Sequence, residues 1–133
     1  MTQPLRILVV EDDPDVLAAI AAILRDEDGF AVWVARDGEQ AMEVADELGF
    51  DADVLVVDLN LGPGMRGDQL VREYRLKSRR PFRLVVVSGT PATHSIGRKL
   101  RASAIIEKPY EADQLVRMIR TLTSAGPITA AGS

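Results

Sequence analysis

Two kinds of segment alternate along this chain: short apolar runs, and longer stretches in which apolar residues recur every three or four positions. Short runs rich in β-branched residues are typical of strands, and the three-to-four spacing is typical of helices that pack on one face. The runs predict strands at residues 5–10, 30–35, 52–58, 82–87 and 104–106. The spaced stretches predict helices at residues 14–28, 38–48, 69–77, 91–100 and 111–123.

Polar residues mark where several of these helices begin. Asp13 before Pro14 predicts a side-chain cap with proline in the first turn, and Asp37 with Gln40 resembles a capping box. Asp68 is predicted to cap the third helix. The apolar residues expected to face the core are Val16, Leu17, Ile20, Ile23 and Leu24 in the first helix and Leu70, Val71, Tyr74 and Leu76 in the third.

The third strand indicates how the elements are arranged. Residues 54–57 are all aliphatic, which leaves no polar face and is typical of a strand covered on both sides. Strands that alternate with helices are joined by crossovers, which place helices on both faces of a parallel sheet. The sequence therefore predicts an α/β fold with a doubly wound parallel five-stranded sheet.

Composition narrows the class of protein. The 133 residues include 47% hydrophobic and 27% charged residues, which suits one folded domain, expected at residues 1–123. A net charge of -4 gives no attraction to nucleic acid or to an anionic membrane, so we expect protein partners, with no direct nucleic-acid or membrane contact. The chain has no cysteine, no signal-peptide pattern at its start and no run long enough to span a bilayer, which predicts a cytoplasmic protein. Residues 124–133 are expected to form a flexible tail or linker.

Chemically active residues follow the predicted strands. Because the carboxyl ends of parallel strands share one edge of the sheet, ligands bind there in α/β proteins. That edge collects the residues Glu11, Asp12, Asp13, Asp58, Ser88, Thr90 and Lys108. Neighbouring carboxylates repel one another, and a bound cation relieves the repulsion. Oxygen ligands without His or Cys favour a hard cation, and a few carboxylates completed by water suit Mg²⁺.

The same residues favour phosphoryl transfer. A cation together with Lys108 makes a place for phosphoryl oxygens, and Ser88 adds a hydroxyl donor. Asp58 is then a candidate nucleophile, because a carboxylate that attacks phosphorus forms an acyl phosphate.

Four segments of the chain resemble the signature segments of response-regulator receiver domains. They are Ile-Leu-Val-Val-Glu-Asp at 7–12, Val-Leu-Val-Val-Asp-Leu-Asn at 54–60, Val-Val-Val-Ser-Gly at 85–89 and Glu-Lys-Pro-Tyr at 107–110. The resemblance covers residues 5–123. It implies a flavodoxin-like (βα)5 domain with strand order 2-1-3-4-5. It also implies Mg²⁺-dependent transfer of a phosphoryl group from a phosphohistidine on a histidine kinase or histidine phosphotransfer protein.

The resemblance implies a role for each matching residue. Asp58 corresponds to the phosphoacceptor, and Glu11 and Asp12 correspond to the acidic metal pair. Asn60 occupies the position that gives its backbone carbonyl to the metal, so that Glu11, Asp12, Asp58 and Asn60 make up the implied metal site. Ser88 corresponds to the switch hydroxyl and Lys108 to the lysine that pairs with the phosphoryl group. Pro109 follows that lysine through a cis peptide bond in the family.

Three features depart from the family pattern. Ile105 occupies a switch position where many members carry an aromatic residue, so the usual coupled rotation of hydroxyl and aromatic side chains is not expected. The segment from Asp58 to Gly67 is one residue longer than the common pattern, as in receivers attached to sensor kinases. The segment from Ser88 to Lys108 is about two residues shorter than in chemotaxis-type receivers.

Phosphorylation is expected to shift a face made by the fourth helix, fifth strand and fifth helix, which a downstream protein or attached domain would read. The protein would be a stand-alone regulator or the receiver of a hybrid histidine kinase. One alternative is an aspartyl-phosphate phosphohydrolase, although that family places a second acid where this chain has Asn60. Another is a pseudo-receiver, which keeps the fold without the chemistry. His94 and the basic run from Arg75 to Arg80 are expected to be surface residues.

Overall fold

The computed structural model describes residues 3–124, which form a parallel five-stranded sheet between two layers of helices. The strands are Leu5–Val10 (β1), Phe30–Ala35 (β2), Val54–Asp58 (β3), Arg83–Ser88 (β4) and Ala104–Glu107 (β5). The helices are Pro14–Arg25 (α1), Gly38–Glu47 (α2), Gly67–Lys77 (α3), Pro91–Lys99 (α4) and Ala112–Thr123 (α5). The strand order is β2-β1-β3-β4-β5, so the predicted fold is confirmed. Apart from Ser124, the predicted tail lies outside the described residues.

Each face of the sheet carries its own apolar core, because successive side chains of a strand point to opposite faces. One core packs α1 and α5 against Ile7, Val9, Val54, Val56, Val85 and Val87. The other packs α2, α3 and α4 against Leu8, Val10, Leu55, Val57, Leu84 and Val86. All four aliphatic residues of β3 are at most 1% exposed, as the unbroken run predicts.

The predicted caps hold for two helices and fail for a third. The Asp13 side chain accepts hydrogen bonds at the start of α1, and that of Asp37 accepts one from Gln40 N at the start of α2. The prediction for Asp68 is wrong, because α3 already begins at Gly67 and Arg66 occupies the cap position without a side-chain bond. Asp68 lies in the first turn and pairs with Arg66 and with Arg72.

Three apolar side chains predicted to face the core are exposed instead. Val16 is 37% and Ile23 is 38% exposed on α1, and Leu76 is 86% exposed on α3. The helical period identifies a broad apolar stripe, but only the packed neighbours decide which edge of it is covered. Among residues 3–124, none of the helices combines the length and apolar character that crossing a membrane requires.

Tyr74 joins the core to the chain before β3. Its side chain is completely buried, and its hydroxyl accepts the backbone N–H of Ala52 at 3.2 Å. The Ala52 N–H thus pairs with a side chain and not with a neighbouring strand, and β3 begins at Val54, two residues later than predicted. The Tyr74 ring also packs edge-on against Phe82, with centroids 4.8 Å apart.

We predict that Tyr74→Phe lowers the free energy of unfolding by about 1–3 kcal/mol, because the buried N–H of Ala52 loses its acceptor. Urea unfolding would measure the effect as a lower midpoint with an unchanged slope. Tyr110→Phe is the matched control, since this half-buried tyrosine accepts no backbone N–H from residues 3–124. An equal loss in both variants would contradict the role of the Ala52 bond.

Candidate functional site

The ends of two neighbouring strands bring three carboxyl groups together. Glu11 and Asp12 follow β1, and Asp58 ends β3, which pairs directly with β1. One carboxylate oxygen from each of the three lies within 4.8 Å of the others. Glu11 and Asp58 are buried while Asp12 is exposed, so the cluster is enclosed by the sheet on one side and open on the other.

Both carboxylate oxygens of Asp58 accept hydrogen bonds. Oδ1 accepts the backbone N–H of Asn60 at 2.8 Å, and Oδ2 accepts from Nζ of Lys108 at 2.5 Å. The Asp58 side chain is only 1% exposed, whereas that of Lys108 is 35% exposed. Because a buried carboxylate is costly without an opposite charge, Lys108 compensates the charge that the fold encloses.

Lys108 reaches Asp58 from the far side of β4. It follows β5, and its backbone N–H donates to the Ser88 carbonyl at 2.8 Å, which extends the pairing of β4 with β5. Partial burial opposes the charge of Lys108, but the hydrogen bond and attraction of Asp58, aided by Glu11 and Asp12, raise its pKa overall. The amine is therefore held in its charged form beside the acids.

Glu11 has an unusual ionisation equilibrium. Burial raises its pKa from an ordinary value of 4.5 to about 7, and Asp12 and Asp58 add to this rise. The Asp13 N–H, which donates to Glu11 Oε2 at 3.1 Å, and the Lys108 charge act in the opposite direction. Three crowded carboxyl groups with one lysine are thus short of positive charge, and their oxygens fit a hard divalent cation such as Mg²⁺.

Ser88 lies at the same edge but its hydroxyl bonds elsewhere. The side chain is buried at the end of β4, and its Oγ contacts the Thr90 carbonyl oxygen at 2.9 Å and Thr93 Oγ1 at 2.7 Å. Both partners belong to the start of α4. The sequence indicated Ser88 as a site residue, but not that Thr93 would bind it.

A broad groove of about 1050 Å³ runs beside the acids. Its walls are α1 and the segment that follows β5, and its lining includes Asp12, Asn60, Lys108, Pro109 and Tyr110. The exposed Val16 and Ile23 lie along its α1 wall. The groove therefore joins an apolar surface to the open side of the acidic cluster.

The sequence matches the family model of the response regulator receiver domain over residues 7–120. The chain belongs to this family. It is therefore a receiver domain of two-component response regulators, which is a signalling domain, and the family works with histidine kinases. Receiver domains generally use Mg²⁺ at an acidic pocket, and this one has such a cluster in Glu11, Asp12 and Asp58.

Relatives and solved structures agree with the family. The sensory transduction protein RegX3 of Mycobacterium tuberculosis is 33% identical over 120 residues, which are 90% of this chain and 51% of RegX3. The DNA-binding response regulator MtrA of Mycolicibacterium smegmatis is 34% identical over 86% of this chain and 49% of MtrA. The chemotaxis protein CheY4 of Vibrio cholerae has the same fold, with a TM-score of 0.77 at 22% identity over 91% of this chain and 99% of CheY4.

The receiver domain spans about half the length of the curated relatives it matches. MtrA is named as DNA-binding, which is at odds with the expectation that no nucleic acid is involved. That expectation stays a prediction for this chain alone, since the relatives extend well beyond the matched part.

The receiver domain brings together most of the residues that the sequence singled out. Glu11, Asp12, Asp58 and Lys108 form one connected cluster, and their roles remain predictions. Asn60 lies in the groove beside them and donates its N–H to Asp58. The other residues of interest lie around this cluster: Asp13 caps α1, Pro109 follows Lys108 through a cis bond, and His94 lies on α4 with Nδ1 3.5 Å from Glu107 Oε1.

Ile105 points away from the acids into the layer under α4. It is half-buried on β5, and a Cβ placed on Gly97 of α4 would lie 3.2 Å from Ile105 Cδ1 and 3.0 Å from Val86 Cγ1. The glycine thus lets α4 sit close to the sheet. The sequence gives no local signal for this role of Gly97, because the close approach depends on neighbours brought near by folding.

Gly67 is a second residue whose importance the sequence did not reveal. A Cβ there would lie 2.8 Å from the backbone oxygen of Asp58 and 2.9 Å from Leu59 Cα. The loop between Asp58 and Gly67 is also bonded to α2, because Glu39 Oε1 accepts the Met65 N–H at 2.8 Å. The loop is therefore held to α2, and the backbone around Asp58 is tightly enclosed.

We predict that metal-free protein loses stability as the pH rises from about 5 to 7. The unfolded chain releases the Glu11 proton near its ordinary value, whereas the folded chain keeps it until about pH 7, so ionisation favours unfolding in this interval. Glu11→Gln cannot ionise, and above pH 7 it should exceed the native chain in unfolding free energy by roughly 2–3 kcal/mol.

Urea unfolding in EDTA at several pH values would measure this difference. At pH 4, below the unfolded pKa of Glu11, the native chain and Glu11→Gln should be nearly equal. Glu43→Gln, at an exposed position of α2, removes the same charge and should follow the native pH profile. A gain for Glu11→Gln that is as large at pH 5 as at pH 8 would mean that the ionisation of Glu11 is not its cause.

Proposed function

We propose that Asp58 accepts a phosphoryl group from a phosphohistidine on a histidine kinase or histidine phosphotransfer protein, in a reaction that requires Mg²⁺. The observation that carries the proposal is the buried Asp58 carboxylate, held 2.5 Å from Lys108 and within 4.8 Å of two further acids. In the transfer, an Asp58 oxygen forms a bond to phosphorus while the bond from phosphorus to the histidine nitrogen breaks. The product is an acyl phosphate and a free imidazole.

The surrounding residues would stabilise the added negative charge. Lys108 can move its hydrogen bond from Asp58 to a phosphoryl oxygen, and its raised pKa keeps it charged for this purpose. Ser88 lies next along the sheet and can donate its hydroxyl to another oxygen. The backbone N–H of Asn60 keeps Asp58 oriented, and the close approach of Gly67 limits its movement.

The carboxylates of Glu11, Asp12 and Asp58, with the backbone carbonyl of Asn60, would hold the Mg²⁺ ion. The ion would supply positive charge against both the acids and the phosphoryl oxygens. The raised pKa of Glu11 supports this assignment, because it indicates a site in which negative charge is in excess until a cation binds.

A signalling role is favoured over hydrolytic turnover. A phosphohydrolase needs a second acid for proton transfer, and the groove places Asn60 beside the cluster instead. A pseudo-receiver would not need the four charged residues that meet here. The protein therefore acts as a phosphoacceptor that assists its own phosphorylation and dephosphorylation only.

The surface beside the site supports an interaction with the phosphodonor. Val16 and Ile23 each lie about one turn from Ala19 on the same side of α1, next to the groove. A partner helix that packs on this apolar strip would bring a phosphohistidine to the open side of the acids.

Output would pass through the face made by α4, β5 and α5 to a downstream protein or an attached domain. The role would be that of a stand-alone regulator or of the receiver in a hybrid histidine kinase, acting in the cytoplasm. The receiver boundaries at residues 1–123 and the absence of direct nucleic-acid contact by this domain are part of the same proposal.

We predict that acetyl phosphate with Mg²⁺ adds one phosphoryl group to the native protein and none to Asp58→Asn. The amide cannot form the acyl phosphate, and EDTA should prevent the reaction by removing the cation. Intact-mass spectrometry would detect the adduct. Asp13→Asn is the matched control, since it changes a neighbouring acid by the same amount and asparagine also caps helices. An adduct that persists in Asp58→Asn, or that the native protein never forms, would reject Asp58 as the acceptor.

We further predict that Val16→Glu slows phosphoryl transfer from a kinase by about tenfold, the effect of about 1.4 kcal/mol of lost interface energy. Autophosphorylated kinases of the source organism would be compared in short incubations, and the fastest donor would be used. The rate with acetyl phosphate should not change, because this donor needs no docking surface. Leu76→Glu, which places the same charge on an exposed leucine of α3, should leave both rates unchanged. Equal slowing by the two variants would argue against docking on α1.

A further inference from the structure

The hydroxyl of Ser88 is already engaged before any phosphoryl group is present. Its Oγ donates to the Thr90 carbonyl oxygen at 2.9 Å and lies 2.7 Å from Thr93 Oγ1. Ser88 is 2% exposed, so these partners are not replaced by bulk water. If Ser88 is to donate to a phosphoryl group on Asp58, its single hydroxyl hydrogen must leave the Thr90 carbonyl oxygen. Movement of Oγ toward Asp58 would also lengthen its 2.7 Å contact with Thr93 Oγ1.

Both partners of Ser88 build the first turn of α4. Thr90 caps the helix, and its Oγ1 accepts the Thr93 N–H at 3.1 Å while Thr93 Oγ1 accepts the Thr90 N–H at 3.1 Å. The Thr90 carbonyl oxygen also accepts the first helical N–H, from His94, at 3.0 Å. One hydroxyl network therefore includes both the switch position and the capping box of α4.

The middle of α4 is held in a different way. Gly97 lies against Val86 and Ile105 so closely that a Cβ would already be in tight contact with both. Ile105 has no polar group that could follow a moving hydroxyl. The hydroxyl links from Ser88 to Thr90 and Thr93 therefore connect the site beside Asp58 to the first turn of α4.

We propose that Thr93 is a positioning residue, which holds the Ser88 hydroxyl away from Asp58 in the unphosphorylated protein and couples its release to the first turn of α4. This inference rests on the proposed function, because it assumes that Ser88 turns toward a phosphoryl group. The coupling between the phosphorylation site and α4 is thus assigned to the hydroxyl groups of Ser88 and Thr93, because the apolar side chain of Ile105 is unsuited to this role. Phosphorylation then exchanges the Ser88–Thr93 bond for a bond from Ser88 to the phosphoryl group, and the capping box rearranges.

The test uses beryllofluoride, a phosphoryl analogue that binds carboxylates, with Mg²⁺ and the whole chain in isothermal titration calorimetry. Thr93→Val should bind beryllofluoride about fivefold more tightly than the native protein, because one neutral hydrogen bond no longer opposes the release of Ser88. Thr93→Ser keeps the hydroxyl and should restore the native affinity.

A double-mutant cycle with Ser88→Ala separates this role from simple helix capping. When Ser88 has no hydroxyl, Thr93→Val should change the beryllofluoride affinity by less than twofold. A capping defect alone would have the same effect whether or not Ser88 is present. Equal tightening in both backgrounds, equal tightening by Thr93→Ser, or no tightening by Thr93→Val would each overturn the proposal.

A second measurement does not need the valine variant, which is useful if that variant folds poorly. Beryllofluoride should shift the amide resonances of Thr90 and Thr93 in the native protein, and these shifts should be largely lost in Ser88→Ala. Equal shifts in both proteins would also overturn the proposal. A native protein that neither binds beryllofluoride nor forms an acyl phosphate would reject the proposed function as well, whereas native binding with an inert Thr93 would reject this inference alone.

Discussion

The repulsion among Glu11, Asp12 and Asp58 is the constraint on which the site depends. Three carboxyl groups within 4.8 Å of one another would separate in a flexible peptide, but here each is fixed at the end of a buried strand. The energy of the sheet and its two cores thus maintains a concentration of negative charge that is unfavourable by itself. The protein lowers the electrostatic cost of this repulsion in two ways. The raised pKa of Glu11 means that it binds its proton more tightly, and the charged Lys108 lies against Asp58. A bound divalent cation would reduce the excess of negative charge at this site, and a phosphoryl group on Asp58 would increase it.

The strand order determines which side chains lie close enough to Asp58 to respond to its charge. Asp58 ends β3 and Lys108 follows β5, and β4 separates these strands, so the long lysine side chain must extend across one strand to reach the aspartate. Ser88 ends the intervening strand and lies between them in the sheet. A charge placed on Asp58 therefore acts first on Lys108 and Ser88. Because Ser88 is bonded to Thr90 and Thr93, the next element along the path is α4.

The middle and the first turn of α4 illustrate how one helix can be both fixed and responsive. Its middle packs against the sheet through Gly97, where even a Cβ would be in tight contact with Val86 and Ile105. Its first turn depends on hydroxyl groups, which can exchange partners at small cost because each bond contributes only about 1 kcal/mol. Close apolar packing such as that around Gly97 has few alternative arrangements, whereas a network of hydroxyl groups has several alternative patterns of hydrogen bonds. A shift in population is therefore expected at the first turn rather than along the whole helix.

The sequence alone determined the order of strands and helices and the edge at which the chemistry lies. Apolar periodicity is local, and in a parallel sheet it places residues 11, 12, 58, 88 and 108 together whatever their side-chain conformations. Tertiary structure decided the rest. Position 67 favours glycine because the backbone of Asp58 passes within reach of a Cβ, and Val16 stays exposed because no described element covers it. The Ser88 hydroxyl bonds to Thr90 and to Thr93, which lies five residues away. Such choices follow from neighbours brought together by folding, and no local pattern encodes them.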